Sequence, residues 1–497
     1  MADDPLNLDE PAEWSGLWWL PDAPDEKVPG VLRYKPGDGP VLSLIGVFED
    51  RIMSSPSPGL TLFHEGSPTW DVIHGAAEHR EVSLLGCFPS GSKRTFGARV
   101  KSPDKQTVAA TTALIGAHVA GEDDAAFSAV EVSVEDLGLW AASSVFEGLF
   151  GAPGGKLDGT GSISVKRVET KSVVVDGTEF SLTHRHTLPH FDQRKGGTVG
   201  QMRDTASVRA VPAVPISVGR ARETASLVQD LVAFAMHRAA GVIWLRLEVA
   251  DTDWVLPDGR PAPRRHAEVL YSPVALGKHD AKVIDHYRVL FTCASLPFEE
   301  VVPRWCEAHG RLQAATNMIL GLRYAPARYV ENNLLTAVGA AEVLHRGLGI
   351  DEKPFAADEF TAMRAAMLAQ VPEEHQDRFK GAIRNDLTLR DRLCALAARP
   401  DQEAIALLMP DVDRWAKRTA RARNDLAHEG RTPNHSFEEL IAVVDVTTAV
   451  VILNVMHELG LPAERQREIM QEHPQLRATA RAAREWLVAP AVLADPT

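Results

Sequence analysis

The spacing of apolar and polar positions changes character once along this chain, near residue 296. Before it, apolar residues alternate with polar ones in short runs at 31–34, 41–48, 81–88, 95–100 and 107–119, separated by turn residues such as the PGDGP of 36–40. A period of two with Gly and Pro between the runs predicts strands that form a sandwich or barrel. A Gly-rich break at 151–161 leads into a second series at 162–175, 179–187, 207–218, 241–249, 267–271 and 287–290, interrupted by one helix at about 223–240. This second series is either a separate sheet or an extension of the first. The stretch WSGLWWLP at 14–21 is dense in aromatics, which suits packing between strands better than a ligand-stacking platform. GGTVG at 196–200 and LPDGRPAPRR at 256–265 read as flexible loops, and the first is no phosphate loop because it lacks GxxxxGK[ST] and a following helix.

Beyond residue 296 the period is helical throughout. Helices are expected at 298–324, 329–348, 356–370, 373–387, 388–399, 401–408, 411–430, 437–459 and 462–485. Leu334, Val338, Ala341 and His345 recur at helical spacing, as the core stripe of an all-α bundle does. The expected fold is therefore α+β and multidomain: a β-rich region at 1–150, a second at 151–296, and an all-α bundle at 297–497.

A chain of 497 residues exceeds one ordinary core, and 45% hydrophobic with 24% charged residues is a globular composition. No apolar run approaches the roughly 20 residues that span a bilayer, and MADDPLNLDEP is too acidic for a signal sequence, so a cytoplasmic protein without membrane contact is expected. Cys87, Cys293, Cys306 and Cys394 form no CxxC pair and read as free, buried thiols. His184 and His186 would share one strand face with His190 nearby, but no further ligands complete a metal site, and a polar sheet face is the plainer reading. A net charge of −14 confines any contact with nucleic acid to a local patch.

That patch is the helix at 411–430, DVDRWAKRTARARNDLAHEG. Arg414, Lys417, Arg418, Arg421 and Arg423 follow one another with no acid among them. Spacings of 3, 4, 3 and 4 put Arg414, Lys417, Arg421, Asn424 and His428 on one stripe, while Trp415, Ala422 and Leu426 lie on another face suited to the core. Gly430 and Pro433 mark the stop, which leaves His428 in the last turn. Arg423 is off the stripe, about 140° around the helix from His428 at 100° per residue. One straight helix does not easily aim both at one phosphate; a distorted helix end, a long reach by Arg423 or a second copy of the chain would. Arg-x4-His alone says little, since Arg185/His190 and Arg304/His309 repeat it. Only Arg423/His428 combines it with a helix, a following Asn and a cationic stripe.

The run Arg423-Asn424-Asp425-Leu426-Ala427-His428 resembles the R-N-x-x-x-H signature of HEPN (higher eukaryotes and prokaryotes nucleotide-binding) ribonucleases. YVENNLL at 329–335 through AEVLHR at 341–346 is similar to the early helix of the ApeA-like subgroup. GLWWLP, PGVL, LSLIGVF and IHGAAEHREVSLLGC resemble its N-terminal domain. The resemblance implies an antiphage abortive-infection endoribonuclease that cuts RNA without metal or other cofactor. It also implies a homodimer or higher homo-oligomer, held in check by an N-terminal region that senses an infection-derived trigger such as a phage component. Arg423 and His428 carry over as catalytic residues, Asn424 as their polar companion and Glu342 as a supporting residue; Arg414, Lys417 and Arg421 would bind RNA. His428 is the side chain suited to moving protons to and from RNA near neutral pH, and Arg423 to stabilising phosphate charge. Two other classes stay open: a catalytically inactive adaptor that binds RNA or nucleotide through the same patch, and a β-rich ligand binder with a helical oligomerisation domain.

Overall fold

The computed structural model describes residues 4–48, 52–57, 60–64, 69–93, 102–250, 260, 263–283, 285–350 and 353–488. The chain divides into two compact units, Met1–Ile284 with Phe291–Pro303, and Asp285–Leu290 with Arg304–Thr497.

The first unit begins with strands β1 (Ala12–Trp19), β2 (Val28–Lys35), β3 (Gly39–Ile45), β4 (Ile52–Ser57), β5 (Leu60–His64), β6 (Trp70–Ala77), β7 (Arg80–Lys93), β8 (Lys105–Ala109), β9 (Thr112–Ile115) and β10 (Phe127–Val134). A short helix α1 (Leu137–Ala141) follows, then β11 (Phe146–Phe150), β12 (Gly161–Val165), β13 (Lys171–Val175), β14 (Thr178–His186), β15 (His190–Arg194), β16 (Gly197–Gln201) and β17 (Asp204–Val211). Helix α2 (Val218–Met236) precedes β18 (Val242–Val249) and β19 (His266–Tyr271).

Thirteen of these strands make one antiparallel sheet in the order β13-β14-β17-β10-β18-β19-β9-β7-β6-β1-β2-β3-β8. Because β8 also pairs with β7, the six strands β6, β1, β2, β3, β8 and β7 close into a barrel, and closure removes the free edges of that part of the sheet. The two β-rich stretches share this sheet: β10 takes β17 and β18 as its neighbours across the Gly-rich break.

Trp18 fills the barrel. It is fully buried, and Gly75 lies so close that an added Cβ would sit 2.4 Å from the indole ring. Trp14 is buried too, as expected for aromatics packed between strands, while Trp19 is half-buried beside His118 with ring centroids 5.5 Å apart.

On the open part of the sheet, α2 packs on β10 and β18 and buries Val228, Leu231 and Val232. One register row there alternates in charge: Arg209 on β17 faces Glu131 on β10, which faces Arg246 on β18, which faces Glu268 on β19. Buried charges persist only when paired. Arg246 Nε donates to Glu268 at 2.6 Å, Ser207 and Arg185 donate to Glu131, and Arg209 and Arg264 donate to Glu248 at 2.7 and 2.6 Å. Burial pushes Glu248 up, but the two guanidiniums outweigh it and hold the carboxyl below its usual range. At Glu268 burial wins over Arg246, and the carboxyl lies above it.

Several expectations change. The 107–119 run breaks into β8 and β9, 162–175 into β12 and β13, and 207–218 ends at Val211. The helix expected at 223–240 starts earlier, where Ser217 caps it by accepting from Arg220 N, and ends at Met236. GGTVG is no loop: it lies in the turn and second strand of the β15–β16 hairpin. Residues 287–290 are not a strand either, since His286–Arg288 is a 3-10 turn that leads the buried Val289 and Leu290. The 95–100 run and most of 256–265 lie outside the described residues.

The second unit is helical: α3 (Phe298–Tyr324, whose first residues belong to the first unit), α4 (Val330–Gly347), α5 (Ala357–Ala369), α6 (Glu373–Ala382), α7 (Leu389–Ala398), α8 (Gln402–Leu408), α9 (Val412–Glu429), α10 (Phe437–Glu458), α11 (Ala463–Glu472) and α12 (Pro474–Trp486). α10 is its axis: between 440 and 456 only Ile441 and Asp445 escape burial, and α4, α7, α9 and α12 all pack on it. By length and composition α10 could cross a membrane, with a mean hydropathy of 2.0 over its most apolar 18 residues, which corrects the expectation that no apolar run approaches that length. Its apolarity is accounted for by the helices around it.

The helix expected at 462–485 is two, because Pro474 cannot continue a helix and holds His473 in extended geometry, φ −67 and ψ 118. α6 stops at Ala382 because the Asn385 side chain bonds both Phe355 N and Phe355 O, at 3.2 and 2.8 Å, and draws the chain into a loop.

Two stability changes follow from this packing. Gly75→Ala should cost about 1–3 kcal/mol in chemical denaturation by overpacking Trp18, whereas Gly91→Ala, whose Cβ would have its nearest neighbour at 4.0 Å, should be near neutral. On α2, Asp230 makes no hydrogen bond or ion pair among the described residues, and burial pushes its carboxyl up to about 6 from 3.8. The folded state therefore holds a proton there that the unfolded chain has released, so this group's contribution to stability is greatest below pH 3.8 and is lost as pH rises through about 6. Asp230→Asn should raise stability at pH 8, by on the order of 1–3 kcal/mol, and leave it nearly unchanged at pH 4.

Candidate functional site

The cationic stretch is the helix α9. Asp411 caps its start by accepting from Arg414 N at 2.9 Å, and Gly430 ends it in the left-handed region at φ 69. Trp415, Ala416, Thr419 and Ala422 are buried, and the Trp415 indole donates to Thr447 Oγ1 on α10 at 3.3 Å. Leu426, expected on that face, is half-buried. Lys417, Arg421, Asn424 and His428 are exposed and Arg414 is half-buried, so the polar stripe does face outward. Arg418 is a structural cation: its guanidinium forks onto Glu439 of α10 and donates to Asn434 O at 2.6 Å.

Arg423 lies on neither face. Its Nη2 is 3.6 Å from Glu342 Oε2 on α4, and its Nη1 donates to Asn424 Oδ1 at 3.3 Å. Glu342 is shared with Arg392 of α7, whose Nη1 is 3.9 Å from Oε1. Three mutually packed helices thus supply a carboxylate between two guanidiniums. A pocket of about 340 Å³ opens beside it, lined by Glu342, Arg346, Lys353, Asp386 and Arg392 among others. His428 is exposed: among the described residues its ring makes no hydrogen bond or ion pair, and none joins it to Arg423. α9 is a continuous helix through both residues, so the angular separation read from the sequence holds, and no hydrogen bond joins the two side chains within one copy. Arg421 keeps a weak pairing with Asp425 at 3.8 Å.

Two residues of this site escape the sequence reading. Arg392 is an ordinary cation on its own helix, and only packing carries it to Glu342. Arg346 stands four residues after Glu342 on α4, a spacing that could have flagged it as a neighbour on the same face. The histidines of the first unit do not converge. His184, 3% exposed, is held by Asp204 at 3.0 Å and Ser143 at 2.9 Å, whereas His186 and His190 are exposed, the latter on the separate β15 hairpin. Among the described residues the one group with metal-ligand spacing is Asp9, Glu10 and His279, with ligand atoms within 4.8 Å of one another. Its imidazole already lies between the two carboxylates, Nδ1 3.0 Å from Asp9 and Nε2 3.6 Å from Glu10. The four cysteines are free. Burial pushes the Cys87 and Cys293 thiols up to about 12, which leaves them inert.

Comparison with known families places these features. ApeA N-terminal domain 1 matches residues 13–305, more than half of the chain, and Apea-like HEPN matches residues 335–465, which include Glu342, Arg392 and the Arg423–His428 run. No curated protein and no solved structure matches the chain. With a barrel-bearing β unit under the first match and the α4–α10 bundle under the second, the chain belongs to the ApeA-like HEPN proteins.

Proposed function

We propose that this protein is a cytoplasmic endoribonuclease of antiphage defence that cuts RNA without a metal ion, with Arg423, Asn424 and His428 as its cleavage residues. HEPN domains are generally endoribonucleases, and the family match supports a nuclease of this kind. The observation that carries the residue assignment is the state of His428: in the last turn of α9, exposed and unpartnered among the described residues, at the end of a stripe with Lys417 and Arg421 turned to solvent. A histidine kept for structure would have a partner; one that exchanges protons with a substrate needs its ring nitrogens open.

RNA supplies its own nucleophile. A base takes the 2′-OH proton, O2′ bonds to the adjacent phosphorus, the P–O5′ bond breaks, and an acid gives its proton to O5′. The products are a 2′,3′-cyclic phosphate and a 5′-hydroxyl. Arg423 stabilises the charge gathering on the non-bridging oxygens, with Glu342 and Asn424 fixing its direction. Because His428 and Arg423 diverge on one helix, the complete centre takes α9 from two copies, one His428 as base and the other as acid. A free ribonuclease is toxic, so the β-rich unit is read as the part that receives an infection-derived trigger.

In cells challenged with phage, RNA ends should carry 2′,3′-cyclic phosphate, and purified triggered protein should cleave equally in EDTA. His428→Ala should reduce cleavage at least about 100-fold while changing stability by less than about 0.5 kcal/mol; undiminished cleavage removes His428 from the mechanism. Intact RNA with retained binding would instead favour the inactive adaptor. Lys417→Glu with Arg421→Glu should make the slope of log affinity against log salt shallower, by about 0.7 for each phosphate of single-stranded RNA that the protein no longer neutralises. An unchanged slope would put the RNA path on another surface.

A further inference from the structure

The first unit holds a cavity of about 460 Å³ at the end of the sheet where β10 and β14 stop and β17 and β18 begin. That volume is in the small-ligand range of roughly 300–1,000 Å³. Its lining is acidic and basic in similar number, but the two kinds of charge are not equally available. Asp136 is taken by Arg238, and Asp204 by His184 and Val145 N. Glu135 is taken by Gly241 N and Lys278 N, and Glu10 by Asn7 and His279. Among its carboxylates Asp4 alone has no partner among the described residues.

The cations stand differently. Arg185 and Arg238 are spent on Glu131 and Asp136, yet the side chains of Arg203, Lys278 and Lys282 and the ring of His186 make no hydrogen bond or ion pair among the described residues. What sets these cations apart is that no carboxylate holds their side chains, so an anion entering the cavity displaces no ion pair to reach them. A multiply charged anion with several oxygens satisfies an Arg fork and two Lys ammonium groups together; a single carboxylate does not. Leu137 and Ile243 add an apolar wall.

We infer that this cavity binds a phosphorylated small molecule, with its phosphates at Arg203, Lys278 and Lys282 and its organic part against Leu137 and Ile243. The site is separate from α9 and needs no step of RNA cleavage.

Calorimetric titration of the full chain with pyrophosphate, ATP and adenosine tests it. Pyrophosphate and ATP should bind, ATP at least about tenfold more tightly, and adenosine should give no measurable heat. Arg203→Gln with Lys278→Gln should weaken ATP at least about tenfold, while Lys156→Gln, an exposed cation outside the cavity, should stay within about twofold. Should the double variant fail to melt like the parent, Arg203→Gln and Lys278→Gln are titrated singly, and each should weaken ATP. Absence of binding by both phosphate probes, full retention in the cavity variants, or equal loss in Lys156→Gln overturns the assignment. ATP no tighter than pyrophosphate overturns the place given to the organic part.

Discussion

The helical unit depends on the burial of α10. A helix that is apolar nearly all the way round has no face to give to solvent, so it must be surrounded, and α4, α7, α9 and α12 do the surrounding. This sets the rotation of α9. Trp415 and Ala422 have to be buried, Trp415 is fixed on α10 by its bond to Thr447, and the Arg418 fork on Glu439 adds a second fastening. Once those are in place, Lys417, Arg421 and His428 have nowhere to point but outward. The cationic stripe is therefore exposed because of what lies opposite it.

The same rotation places Arg423 between the buried and exposed faces, where it reaches toward α4. The R-N-x-x-x-H spacing therefore splits Arg423 from His428, the first beside the Glu342 carboxylate and the second exposed to solvent. On the proposed mechanism this makes association part of catalysis, since two copies of α9 meeting at their C-terminal turns supply the proton donor and acceptor that one copy lacks.

The helical half was largely legible because helix periodicity is local: Leu334, Val338, Ala341 and His345 are all buried as their spacing predicted. The errors came where a single local interaction overrode the period, as at Pro474 and at the Asn385 bonds to Phe355. The sheet was harder to read for a physical reason. β6 turns Gly75 and Ala77 inward to make room for Trp18 and the barrel wall, so its inner face carries few large apolar residues. β10 buries Glu131, whose partners lie on β14 and β17, and a scan for apolar runs passes over a strand whose interior position is a carboxylate. Of the site, the stripe on α9 could be read from spacing, whereas Arg392 could not, because it reaches Glu342 only through tertiary packing.

The distances at Glu342 bear on how such a site works. Ion pairs that fasten the fold are tight: Arg246 to Glu268 at 2.6 Å, Arg399 to Glu458 at 2.6 Å, Arg209 to Glu248 at 2.7 Å. Glu342 stands 3.6 Å from Arg423 and 3.9 Å from Arg392, beyond a good hydrogen bond from either. A half-buried carboxylate at that range still supplies attraction enough to keep two like-charged guanidiniums on neighbouring helices, yet commits neither of them. On the proposed mechanism, a phosphate approaching Arg423 would then find a fork already oriented and could accept from it with no strong bond to break first. On that mechanism, a tighter contact would hold Arg423 back from the phosphate, and a carboxylate held loosely between two arginines orients the fork without committing it.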